Sequence, residues 1–226
     1  MIETFKRMEK KYILNKSQYK ELFNRMKDHL EKDKYYKSNI SNIYFDTDDF
    51  YLINKSIDKS IYKEKVRLRS YFVPKGDDKV FLELKKKYKG ISNKRRICLT
   101  LDEFNNYFYK GIEPNCNKQI LEELNYSIKS NSLKPKVLLA YDRLSYYDKE
   151  NKDFRITFDK NLRYRTTDLE LNHGSSGNKY FEDDECIMEL KTLDSFPLWI
   201  TNILSELKIY PVSFSKYGNI YKNYIF

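Results

Sequence analysis

Apolar and charged residues alternate with a period of two in several short segments of this chain. Lys65-Val66-Arg67-Leu68-Arg69 is one, Leu82-Glu83-Leu84-Lys85 a second, Arg155-Ile156-Thr157-Phe158-Asp159 a third and Met188-Glu189-Leu190-Lys191 a fourth. Alternate side chains of a β-strand point to opposite faces, so each segment predicts a strand with one apolar and one charged face. The same pattern over Met8 to Leu14 sets Glu9 and Lys11 on one face of a first strand. Further strands are predicted over Ile40 to Phe45, Lys65 to Phe72, Lys79 to Lys87, Arg95 to Leu99, Lys136 to Arg143, Asp153 to Phe158 and Cys186 to Lys191. Between them the period becomes helical. Asn15 with Gln18 predicts a capping box before Tyr19, Leu22, Phe23, Met26 and Leu30, and Thr100 with Glu103 another before Phe104, Tyr107 and Phe108. A polar helix is predicted from Cys116 to Ser130, and Pro197 opens one through Leu198, Ile200, Ile203, Leu204 and Leu207. Pro74 to Asp78 reads as a hairpin turn, and the loop at Glu150-Asn151 joins two strands.

About eight strands with helices between them predict an α+β fold, an antiparallel eight-stranded β-barrel with helices decorating the outside, as one domain over residues 1–226. If the strands close in that way, the charged faces line the interior and make a basic pore with a few carboxylates for a metal. Such a pore suits a polyanion, above all a chain of phosphates. The net charge of +10 changes this picture little, because the chain is rich in Lys, Asn, Ile and Tyr throughout; placement on strand faces is the better guide. No apolar run approaches the roughly 20 residues of a membrane span, and the charged start lacks the apolar core of a signal peptide. Cys98, Cys116 and Cys186 are widely spaced, form no CxxC pair, and read as free thiols of a cytoplasmic protein.

The candidate chemistry follows from the charged faces. Lys65, Arg67 and Arg69 repel one another unless something negative lies among them, and the planar guanidinium binds phosphate oxygens two at a time. Lys85, Lys94 and Arg96 extend that patch; Tyr141, Arg143 and Arg155 add further phosphate ligands. A carboxylate such as Glu189 among so many cations suits a hard cation, Mg²⁺ or Mn²⁺, although a salt bridge with a neighbouring Lys or Arg is the plainer role. His29 and His173 form no cluster, and no Walker loop, dinucleotide fingerprint or nucleophile elbow occurs. An enzyme made of these parts works by positioning and charge neutralisation. A nucleic-acid partner is not expected, since no recognition motif and no basic helix face is present.

Taken in order, Arg7-Met8-Glu9-Lys10-Lys11-Tyr12, Tyr44-Phe45-Asp46-Thr47, Lys65 to Arg69, Glu83-Leu84-Lys85, Lys94-Arg95-Arg96, Tyr141-Asp142-Arg143, Arg155 to Asp159, Glu189-Leu190-Lys191 and Phe214-Ser215-Lys216-Tyr217 resemble a VTC-type polyphosphate polymerase domain. The resemblance implies the triphosphate tunnel barrel shared with CYTH phosphatases and cyclases. It implies transfer of the γ-phosphate of ATP, or of another nucleoside triphosphate, to a growing polyphosphate chain inside the basic tunnel, with Mn²⁺ or Mg²⁺. Lys11, Arg67, Arg69, Lys85, Arg143, Arg155 and Lys216 would act on the phosphates; Lys65, Lys94, Arg96, Tyr141, Lys191 and Ser215 would bind them; Glu189 and Glu9 would hold the metal. Arg7 stands where the tunnel phosphatases carry a metal-binding Glu, which agrees with the polymerase branch, and Ser213 stands where fungal polymerases look to have a Lys. A tripolyphosphatase of the same fold and a binding module for polyphosphate without chemistry are the alternatives.

Overall fold

A computed structural model describes residues 8–181 and 184–226; Arg7 lies outside the described residues. In chain order the elements are β1 (Met8–Leu14), α1 (Lys16–Met26), β2 (Leu30–Asp46), α2 (Tyr51–Ile57), β3 (Tyr62–Ser70), β4 (Lys79–Tyr88), β5 (Ile91–Thr100), α3 (Leu101–Lys110), α4 (Lys118–Ser130), β6 (Lys134–Asp148), β7 (Arg155–Arg165), β8 (Asn178–Lys179), β9 (Cys186–Thr192), α5 (Leu198–Glu206) and α6 (Lys216–Ile220). The strands pair in the order β1-β9-β7-β6-β2-β3-β4-β5, with β8 beside β7.

This order corrects the predicted eight-stranded barrel. Among the described residues the antiparallel path of eight strands is open, ending at β1 and β5, and β8 beside β7 makes nine strands in the sheet. Closure needs the two terminal strands to pair. Alternation assigns each side chain to a face and says nothing of whether the ends meet. The outer edge of β5 also carries Lys94, Arg95 and Arg96, which discourage a further strand there.

The described residues form two compact units, 8–38, 141–162, 179–181 and 184–214 in the first and 39–140, 163–178 and 215–226 in the second. In the first, α1 starts as predicted: Asn15 Oδ1 accepts from the Gln18 N–H at 2.8 Å and Gln18 Oε1 from the Asn15 N–H at 3.1 Å. Leu22 and Met26 of α1, Ile200 and Leu204 of α5, and Phe158, Met188 and Leu190 of the strands build its core. In the second, Val66, Leu68, Leu82, Leu84, Ile97 and Leu99 from three adjacent strands pack with Phe104, Tyr107, Leu121 and Leu124 of α3 and α4. The apolar face of each alternating strand is therefore covered by helices, and the charged face lies on the other side.

Two local readings need correction. The helix predicted to reach Leu30 stops at Met26, and Leu30 begins the long strand β2. The start of β2 is held by a distant partner, since Asp33 takes an ion pair from Arg155 at 2.6 Å. At the end of β2 the Asp46 carboxylate accepts the Leu52 and Ile53 N–H groups at 2.9 and 3.0 Å, which satisfies donors in the first turn of α2. The short helix α6, capped by Ser215, was not predicted either.

Candidate functional site

In the second unit the register of β2 to β5 sets the predicted cations side by side. Tyr44 lies opposite Arg67 and Asn42 opposite Arg69; Lys65 faces Lys85 and Arg67 faces Glu83; Lys85 faces Lys94 and Glu83 faces Arg96. Glu83 is the buried centre of this grid. Its carboxylate meets Arg67 Nε at 2.7 Å, Lys94 Nζ at 2.5 Å and Arg69 Nε at 3.9 Å. Burial alone would raise the Glu83 carboxyl, but the surrounding Arg67, Arg69 and Lys94 outweigh it and bring the pKa down to about 2. The Lys94 ammonium is lowered by burial, against the pull of Glu83 and with the repulsion of Arg67 and Arg69.

Neighbours fix the two guanidinium groups. Arg67 Nη1 donates to the Tyr44 hydroxyl at 3.1 Å, and Arg69 Nε to Asn42 Oδ1 at 2.8 Å. Tyr44 stacks on Tyr217 with ring centroids 4.7 Å apart, and the Tyr217 hydroxyl donates to Asp46 Oδ2 at 3.0 Å. Arg96 lies over the Phe81 ring at 4.9 Å. Lys65 Nζ donates to Ser215 Oγ at 3.0 Å, and Ser215 in turn accepts the Gly218 N–H at the start of α6, with Lys216 the first residue of that helix.

In the first unit β1, β9 and β7 bring a second set together. Glu9 pairs in register with Lys191 and Lys11 with Glu189; Thr157 lies opposite Glu189, and Arg155 opposite Lys191. Lys191 Nζ lies 2.9 Å from Glu189 and 3.8 Å from Glu9. Lys11 Nζ lies 3.5 Å from Glu9 and 3.8 Å from Glu189, and donates to the Phe214 carbonyl at 3.0 Å. Arg143 clasps Asp159 with two bonds of 2.6 and 2.7 Å, stands 3.8 Å from Glu189, and lies over the Tyr141 ring at 5.3 Å. Burial lowers the Arg143 guanidinium, but Asp159, Tyr141 and Glu189 more than reverse this and hold it well above its ordinary value. Arg155 turns to Asp33 and to the Ser145 hydroxyl at 2.9 Å, so its described partners lie apart from the Glu189 group.

The donor set suits a hard cation completed by substrate. No group of three or more His, Cys, Asp or Glu is arranged for a metal among the described residues. Glu9 and Glu189 nonetheless converge on the same two ammonium groups, and the Thr157 hydroxyl across from Glu189 is buried with no hydrogen-bond partner among the described residues. Mg²⁺ commonly takes one or two carboxylates and leaves its other positions to water and phosphate oxygens. The residues present fit that pattern. Burial also pushes the Cys186 thiol up to about 12, which removes it as a nucleophile near neutral pH.

Sequence reasoning named the cations and missed what holds them. Asn42, Tyr44, Asp159, Asp33 and Ser145 all orient a predicted Arg, and Glu83 is the shared centre of three. Parity was the available signal: Asn42 and Tyr44 recur at every second position of β2, as Arg67 and Arg69 do on β3.

The model of the VTC domain matches residues 6–225. Among solved structures, a Bacillus halodurans protein assigned as an adenylate cyclase aligns with a TM-score of 0.59 and 16% identity, over 96% of this chain and 97% of that one. A Vibrio parahaemolyticus protein of the same assignment aligns with a TM-score of 0.51 and 11% identity, over 95% and 97%. At these identities the likeness speaks for the fold alone. The chain has no match among curated proteins.

Proposed function

The chain belongs to the VTC-domain family, and from that premise we propose a metal-dependent phosphotransferase that moves the γ-phosphate of ATP to the end of a polyphosphate chain. The family sits in a catalytic superfamily linked to polyphosphate and triphosphate chemistry. The observation that carries the reading is the Glu83 cluster: Arg67, Arg69 and Lys94 converge on one buried carboxylate, leaving an excess of fixed positive charge on a sheet face. Bridging and terminal phosphate oxygens match both that charge and the guanidinium geometry.

Phosphoryl transfer asks little more of the protein than positioning and neutralisation. The bond between the β–γ bridging oxygen and the γ-phosphorus breaks, and ADP leaves with that oxygen. A terminal oxygen of the chain forms the new bond to phosphorus, and no water is consumed. Arg67, Arg69, Lys85 and Lys94, with Lys65, Arg96, Ser215 and Lys216, hold phosphate oxygens in one unit; Lys11, Arg143 and Lys191, with Arg155 and Tyr141, do so in the other. Glu9 and Glu189 would hold Mn²⁺ or Mg²⁺, which when bound supplies further neutralisation of phosphate charge.

A second reading has its own support. The Glu189 carboxylate is already engaged by Lys11, Lys191 and Arg143, as in a face that holds a polyanion without chemistry. Incubating the purified protein with ATP and Mn²⁺, with products followed on gels and by phosphorus NMR, separates the readings. A ladder of chains with matching ADP supports the polymerase. Free phosphate from tripolyphosphate without chains moves the activity to hydrolysis, and tight polyphosphate binding with no turnover leaves the binding module.

A further inference from the structure

The turn end of the β3–β4–β5 meander has a surface that phosphate chemistry does not use. Tyr62 pairs in register with Tyr88, and Tyr88 with Ile91. The Lys89 N–H donates to the Ile61 carbonyl at 3.1 Å, tying the start of β3 to the same turn. By parity Tyr62, Tyr88 and Ile91 share the sheet face of Val66, Leu84 and Ile97, which Leu121 and Leu124 of α4 help bury farther along. At the turn the same face is open: Ile91 is 73% exposed and Tyr88 54%, and Ile61, just before β3, is exposed beside them. The tip is narrow, because Lys89 and Gly90 take φ values of 44° and 88°, the left-handed pair of a two-residue hairpin turn.

Charge surrounds this apolar point. From Lys85 to Arg96 the chain carries Lys or Arg at seven of twelve positions and neither Asp nor Glu. Glu123 of α4 offsets part of this through Lys86 and Arg95, at 3.7 and 3.6 Å. Lys87 and Lys89 stand exposed beside the aromatic and aliphatic side chains.

We infer that this tip docks on the headgroup layer of an anionic lipid bilayer. Tyr favours the membrane interface, exposed Ile gains from entering the acyl boundary, and flanking lysines reach back to anionic headgroups. A second copy of the chain fits poorly: the β5 edge would bring Lys94, Arg95 and Arg96 against like charges, and a few tip residues fall well short of the roughly 800 Å² per partner of a stable protein interface. A nucleic acid would leave Ile61 and Ile91 without a partner. The inference goes beyond the proposed phosphotransfer and does not depend on it.

Sedimentation of the full chain with vesicles tests it, comparing pure phosphatidylcholine with a 70:30 mixture of phosphatidylcholine and phosphatidylserine. Partitioning to the anionic vesicles should exceed that to the neutral ones by about tenfold or more, and should fall about fivefold for Lys89→Ala. Tyr88→Ser with Ile91→Ser should lose most of the binding, whereas Arg67→Ala should keep it. Ile91→Trp should show blue-shifted emission on anionic vesicles. Absent or lipid-independent sedimentation overturns the proposal. So does loss of binding in Arg67→Ala with retention in the tip variants, which would assign it to the phosphate face. A single-stranded RNA probe that binds more tightly than the vesicles, and through the same tip residues, overturns it in favour of a nucleic acid.

Discussion

The two units use the same alternation of apolar and charged positions, yet their charged faces differ in balance. In one, Arg67, Arg69 and Lys94 gather around Glu83; in the other, Lys11, Lys191 and Arg143 are met by Glu9, Glu189 and Asp159 among the described ion pairs. Among the described ion pairs the first face carries more cations than carboxylates, the basis of the proposed phosphate site. The second is nearly balanced, and its carboxylates can exchange an ammonium for a metal only if phosphate joins them. Removing a cation should therefore cost different amounts of stability in the two places. Arg143→Ala leaves Asp159 buried and unclasped, which should cost about 3–5 kcal/mol of stability in urea denaturation. Arg67→Ala gives up one ion pair of Glu83 but leaves Lys94 and Arg69 beside that carboxylate, so it should cost less stability than Arg143→Ala and still fold, while losing on the order of a thousandfold in ATP-dependent chain synthesis. Equal losses of stability in the two variants would break the comparison.

The next largest effect belongs to Glu83. Its carboxyl titrates at about 2 in the fold against an ordinary 4.5, a difference of about 3 kcal/mol. A depressed acid contributes fully above pH 4.5, and the contribution drains away as pH falls from 4.5 through about 2. Glu83→Gln should thus be destabilised by about 3 kcal/mol at pH 7, and more than half of its deficit against the unsubstituted protein should vanish by pH 3. Tripolyphosphate should stabilise the variant more than the parent, since phosphate can replace the missing carboxylate. A deficit that stays constant with pH would show that the carboxylate matters by shape and not by charge.

On the balanced face, Glu189→Gln should weaken metal dependence and lower turnover by about a hundredfold, while polyphosphate binding persists. Titration of Mn²⁺ into the assay and equilibrium binding of a labelled chain read the two effects separately. Full activity with unchanged metal dependence would move the metal away from Glu9 and Glu189.

The strands were legible because they are two-faced: β1 and β4 begin where alternation places them, and both capping boxes form. Period alone failed where a distant group decides the local structure. Leu30 suits the apolar stripe of a helix as well as the start of β2, and it is Arg155, far along the chain, that engages Asp33 in the strand. Barrel closure failed for a related reason, since it depends on whether two edges meet and no residue pattern reports that. At the candidate site the cations were readable from charge and parity, whereas their neutral supports were not. Asn42 and Tyr44 look like ordinary strand residues until β3 is laid beside them in register.

The smallest predicted effect tests one of those supports. Tyr44 accepts a hydrogen bond from Arg67 and stacks on Tyr217, whose hydroxyl is bound to Asp46, the residue that also accepts N–H groups in the first turn of α2. Burial and Asp46 both push the Tyr217 hydroxyl up, so it stays protonated and the stack keeps its donor at any working pH. Tyr44→Phe keeps the ring and the stack and deletes only the oxygen that meets Arg67. Its expected cost is about 1 kcal/mol, seen as a several-fold fall in kcat with little change in melting temperature. Tyr44→Ala removes the stack as well and should add a clear loss of stability. If Tyr44→Phe keeps full kcat, Glu83 alone orients Arg67; if both variants lose activity only in step with stability, Tyr44 supports the fold and not the guanidinium.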